Sequence, residues 1–109
     1  MSVAYFGMEN FMLYYYHYVP GRLRIQTPFI RRNVKNVTIF VRALLSLEGI
    51  RLIKTNPLIG SALIYFDEHK IKQKQIIGFL ERQGYFILAK AKTSDQVIQH
   101  AAQKVLENL

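Results

Sequence analysis

The stretch His17-Tyr18-Val19-Pro20-Gly21-Arg22-Leu23-Arg24 decides how the fold is read. Before it, Phe11 to Val19 is rich in aromatic side chains, which favour extended backbone. Pro20 cannot donate to a strand ladder and Gly21 tolerates unusual dihedrals, so the pair predicts a bulge or a kink. From Arg22 to Thr27 the chain alternates. Leu23 and Ile25 point one way and Arg22, Arg24 and Gln26 the other, the period of a half-buried strand. Residues 12–27 thus read as one long, bent first strand. Charge changes at the same place. No Lys or Arg precedes Arg22, whereas Arg22, Arg24, Arg31, Arg32, Lys35, Arg42, Arg51 and Lys54 follow, with Glu48 the one acid among them.

Outward from this stretch, Pro28 ends the strand and Asn33 is placed to cap a helix. Val34, Val37, Val41, Leu44, Leu45 and Leu47, with Phe40 beside them, have helical spacing, and Gly49 is expected to stop that helix in the left-handed region. Ile50–Thr55 and Ser61–Phe66 read as strands joined by a hairpin loop, Asn56-Pro57-Leu58-Ile59-Gly60. Asp67 is expected to cap a second helix over roughly 68–83, buried through Ile76, Ile77, Phe79 and Leu80 and ended by Gly84. Tyr85–Ala89 reads as a fourth strand. Thr93 and Gln96 fit a capping box opening a last helix, with Val97, Ile98, Ala101, Ala102, Val105 and Leu109 on one side.

The order βαββαβ predicts an α+β, ferredoxin-like sandwich. Two helices cover one face of an antiparallel sheet, and the other face is open unless the extra C-terminal helix or a partner covers it. The expected organisation is a flexible N-terminus over 1–10, one domain over 11–90 and an amphipathic helix over 91–109.

A chain of 109 residues, half of them apolar, is one domain with one core. The absence of cysteine excludes disulfides, thiolate metal sites and thiol nucleophiles. A net charge of +8 points to an anionic partner, with scattered surface lysine as the plainer alternative. The apolar N-terminus has no basic leader and is interrupted by Glu9 and Asn10, so it does not read as a signal peptide. No apolar run reaches the roughly 18–20 residues of a membrane span. A cytoplasmic protein is expected, with docking to an acidic membrane surface left open.

Three places carry candidate chemistry. The loop 28–36 brings Arg31, Arg32 and Lys35 to a helix start, where free N–H groups and the helix dipole favour a phosphate, an acidic headgroup or a carboxylate. The alternative is a solvated basic loop. Arg22 and Arg24 can grip an acidic surface through forked hydrogen bonds, or pair internally with Glu81 or Asp67. Among histidines, a structural role is favoured for His69 and His100. His17 is the candidate ligand, able with a carboxylate from a second chain to form an iron or zinc site. Tyr14, Tyr15, Tyr16 and Tyr18 beside these cations are capable of stacking bases. The RNA-recognition signature is missing from Ser61–Phe66, however, and the tyrosines read as core and dimer-interface residues. No catalytic constellation is present. Arg31 and Asn56 can be cast as an acylphosphatase pair, but Pro28-Phe29-Ile30 stands where the phosphate loop belongs, so a non-enzymatic role is expected.

Several segments together resemble a known family. They are His17-x-x-Pro20-Gly21-Arg22-x-Arg24, Leu47-Glu48-Gly49-Ile50, Asn56-Pro57 with Gly60-Ser61-Ala62-Leu63-Ile64-Tyr65-Phe66-Asp67, and Gly84-Tyr85. In this order they resemble the heavy-metal-associated domain over about residues 15–90, in a divergent branch without the Cys-x-x-Cys metal site. The usual cysteine pair falls on Asn33 and Asn36, and amides are poor ligands for soft metals. The resemblance implies the fold and a setting in metal handling, iron included. Such domains occur at the N-termini of metal-transporting P-type ATPases and as small separate proteins. The leading expectation is an accessory domain docking its basic motif, with Pro20 and Gly21 shaping it, on such an ATPase, a metal-storage assembly or an acidic lipid surface. No cofactor is expected beyond a metal ion at His17. Nucleic-acid binding and direct metal binding through histidine are the alternatives, and a homodimer is a further expectation.

Overall fold

The computed structural model describes residues 13–92. Strand β1 (Tyr15–Val19) and strand β2 (Arg22–Gln26) are followed by helix α1 (Val34–Leu45), strands β3 (Ile50–Asn56) and β4 (Ser61–Phe66), and helix α2 (Gln73–Arg82). Short 3-10 turns lie at Pro28–Ile30 and Leu88–Lys90. The four strands form one antiparallel sheet in the order β1-β2-β4-β3. The result is an α+β fold compatible with a ferredoxin-like arrangement.

The opening stretch is a hairpin and not one bent strand. Val19 pairs with Arg22, so Pro20 and Gly21 are the two residues of a tight turn. Gly21 has φ +77°, and proline followed by a residue of positive φ is what a type II turn requires. This explains a second departure. Tyr85–Ala89 forms no strand, because β1 already holds the place beside β2. Phe86 is instead buried and Tyr85 stacks on Phe29 at 4.3 Å. The chain reaches the outer edge of β1 only at Lys92, whose N–H donates to Tyr14 O (3.0 Å) and whose carbonyl accepts from Tyr16 N–H (2.9 Å).

The helix boundaries also move. Asn33 caps α1 as expected, accepting from Asn36 N–H at 2.9 Å. The helix closes at Ser46, however, and Gly49 keeps its left-handed backbone in the turn beyond. Asp67 caps a local turn and not α2. Its carboxylate accepts from His69 N–H, and its carbonyl accepts from the N–H groups of Lys70 and Ile71. Helix α2 starts at Gln73, where the Gln75 carboxamide accepts from Lys72 N–H at 2.8 Å. At its far end Gly84 N–H donates to Glu81 O and Tyr85 N–H to Leu80 O, a Schellman closure.

One core joins sheet and helices. Leu23, Ile25 and Ile64 from the sheet meet Phe40 and Leu44 of α1 and Ile76, Ile77 and Leu80 of α2. Ile30, read from sequence as loop, is fully buried. Thr27 is the buried polar joint. Its hydroxyl donates to Tyr85 O (2.6 Å) and its N–H donates to Gly60 O (2.9 Å). The expected flexible segment 1–10 and the helix begun at Thr93 lie outside the described residues, as does His100.

Candidate docking face

The alternation that buries Leu23 and Ile25 sends Arg22 and Arg24 to the other side of the sheet, where both are exposed. Strand register extends that side across all four strands. His17, Arg24, Leu63 and Lys54 form one row. Val19, Arg22, Tyr65 and Leu52 form the next, and Tyr15, Gln26, Ser61 and Asn56 the last. Neither helix covers this side, since both pack on the Leu23–Ile25–Ile64 surface. The three rows contain three permanent cations and no acid. Lys54 Nζ stands 5.8 Å from the centroid of the Tyr65 ring, within reach of a cation–π attraction.

Arg22 and Arg24 make no ion pair among the described residues. Of their two expected internal partners, Asp67 pairs with Arg51 at 3.3 Å, and Glu81, which stands on α2 on the helix side, accepts from Leu88 N–H. Arg31, Arg32 and Lys35 are not part of this face. They lie where β2 passes into α1, and Arg32 N–H donates to Pro57 O (2.7 Å) in the β3–β4 turn. The basic run of the sequence is thereby divided into a sheet-face group and a loop group. Register also brings in Lys54, Leu52, Leu63 and Tyr65, which the sequence pattern alone did not assign to the face. Their period-two alternation was visible, but the cross-strand alignment was not.

Asn33 and Asn36 are occupied by structural tasks. Asn33 Oδ1 caps the helix and Asn36 Nδ2 donates to Phe29 O at 2.8 Å. Two amides, both engaged locally, do not fit a soft metal ion. His17 has the guanidinium-bearing Arg24 as its cross-strand neighbour. Among the described residues no three His, Asp or Glu side chains gather as a metal donor set. Of the neighbouring carboxylates, that of Asp67 accepts from the backbone N–H of His69, and both Glu68 oxygens receive the Tyr18 hydroxyl at 2.8 Å. That hydroxyl bond raises the Tyr18 pKa. The tyrosines serve largely as core. Tyr14 meets Phe86 edge-on at 5.8 Å and Tyr18 stacks on Phe66 at 6.4 Å, while Tyr15 falls on the open face.

Asp67 is expected to give folding stability a pH-dependent contribution. Its pKa is held below the ordinary aspartate value, first by the His69 N–H bond and then by Arg51. The unfolded chain keeps the ordinary value. The stability that Asp67 contributes is therefore present above that value and is lost as pH falls through it toward the lowered one. Urea midpoints of wild type and Asp67→Asn are expected to differ near neutral pH and to converge in acid. A constant gap would contradict this.

Among the described residues no helix is long and apolar enough to cross a membrane. No curated protein and no solved structure gave a match to the chain. The family model described as heavy metal associated domain 2 matches residues 7–109. That span takes in the sheet, both helices and the basic face, and the chain belongs to the heavy metal associated domain 2 family.

Proposed function

We propose that this chain is a non-enzymatic interaction domain in metal handling, iron included, which docks its basic sheet face on an acidic protein surface. A metal-transporting P-type ATPase or a metal-storage assembly is the kind of partner meant. The observation that supports this most is the acid-free face on which Arg22, Arg24 and Lys54 stand among Val19, Leu52, Leu63 and Tyr65. Guanidinium groups on a rigid sheet bind carboxylates in pairs of parallel hydrogen bonds, and the apolar neighbours supply area that excludes water. Family membership supports the metal setting. The engaged amides of Asn33 and Asn36 favour docking over metal carriage by this chain.

The test is affinity capture from the native host with wild-type chain and with the double variant Arg22→Glu/Arg24→Glu. An acidic metal-handling protein is expected on the wild type alone, with unchanged circular dichroism for both. Equal capture by the variant would sink the basic-face reading. A salt-sensitive shift of labelled oligonucleotides, lost in the same variant, would move the assignment to nucleic acid. Retention on anionic vesicles without any protein partner would move it to lipid.

A further inference from the structure

Strand β3 is an outer strand, and no strand pairs with its far edge among the described residues. Such an edge is a row of backbone donors and acceptors able to bind another extended chain. Two side-chain features flank it. On the open face β3 contributes Lys54 and Leu52, the last members of the cationic row and of the apolar row beside it. On the helix face, α1 packs over β3. One flank of α1 is turned toward α2, because Asn36 donates to Phe29, which stacks on Tyr85 just beyond α2. At about 100° per residue, Val34, Val41 and Leu45 lie on the opposite flank, away from α2 and on the side of the β3 edge. Val34 is 74% exposed and Leu45 54%.

We propose that β3 accepts an extended segment of the acidic partner as a fifth strand, with acidic and apolar residues alternating along it. This rests on the basic-face reading above and adds where and in what conformation the partner binds. Successive side chains of a strand point to opposite faces. Those on the open face meet Lys54, the β3 member of a face that carries Arg22 and Arg24 two strands further in, so they are acidic. Those on the helix face meet the Val34–Leu45 flank, so they are apolar. A second copy of this chain fits less well: β3 has Arg51 and Lys54 and no acid, and self-pairing doubles the cations along one seam.

The test uses the full chain, isotopically labelled, with a synthetic seven-residue peptide alternating glutamate and valine. The control peptide has the same sequence with every backbone nitrogen methylated. The plain peptide is expected to bind at least about tenfold more tightly than the methylated one, since ladder bonds are lost in the latter. It should slow hydrogen exchange of β3 amides, and Lys54→Glu should weaken it by about tenfold. If both peptides bind equally and perturb only the Arg22 and Arg24 region, the edge proposal fails and the basic-face reading stands. If neither binds, both fail for an extended acidic ligand. If β3 amides are already protected without peptide, the edge is taken by the chain itself or by a second copy, and the proposal is overturned. Light scattering tells these two apart.

Discussion

Phe40→Ala is expected to cost about 3–5 kcal/mol of folding stability, the upper range for truncation of a core side chain. Phe40 is completely buried on the core side of α1, 6.1 Å from the Tyr85 ring. Its removal forfeits the transfer energy of an aromatic ring and leaves a cavity between a helix, the sheet and the segment after α2. Those three elements are fixed by their own hydrogen bonds and have little freedom to collapse into the space. For a domain whose total stability is of the order of 5–15 kcal/mol, this is enough to populate the unfolded state visibly. Urea unfolding followed by circular dichroism measures it. Val34→Ala on the same helix is the control, because Val34 is 74% exposed and its truncation should stay within about 0.5 kcal/mol. Similar losses for both would mean that α1 is not seated through Phe40.

Gly60→Ala is expected to cost about 2–4 kcal/mol, the sum of two separable effects. Gly60 has φ +73°, where a side chain crowds its own backbone. A Cβ there would also lie 2.7 Å from Thr27 O and 2.9 Å from Arg31 Cβ. The carbonyl is backbone, held because Thr27 N–H donates to Gly60 O, so it cannot simply turn aside. Gly84→Ala separates the two effects. Gly84 has φ +80° but nothing within 4 Å of its Cβ position, so it bears only the backbone part, about 1–2 kcal/mol. The two urea midpoints should differ by the clash. If Gly60→Ala costs no more than Gly84→Ala, the close approach of the β3–β4 turn to Thr27 is wrong.

Much of this fold was legible because its signals are local. The period-two pattern of Arg22–Gln26 and of Ser61–Phe66, the helical spacing from Val34 and the Asn33 cap each involve neighbours along the chain. What failed depended on competition between distant segments. Pro20-Gly21 is compatible with a kink and with a turn, and only pairing with Arg22 distinguishes them. Tyr85–Ala89 has strand composition, yet the place it would take was already filled. Asp67 is a good cap in the wrong position, because its carboxylate found His69 N–H and Arg51 first. The site was half legible for the same reason. Arg22 and Arg24 were assigned by alternation alone, whereas Lys54 and Tyr65 join them only through register.

The Pro20-Gly21 hairpin has a consequence in time as well as in space. Among the described residues the four strands lie between Tyr15 and Phe66; β1 with β2 and β3 with β4 pair across short turns, and β2 pairs with β4 across α1 and β3. A sheet completed by Tyr85–Ala89 would have to wait until α2 and the residues after it had been made. Here each of the four described strands has been synthesised before α2 begins, and the first pairing, β1 with β2, closes over only two residues. Short loops are the entropically easy ones to close, so the sheet is built from contacts that form early. The chain after Phe66 then arrives at these paired strands, lays α2 and Phe86 on them and adds the Lys92 backbone bonds at the β1 edge.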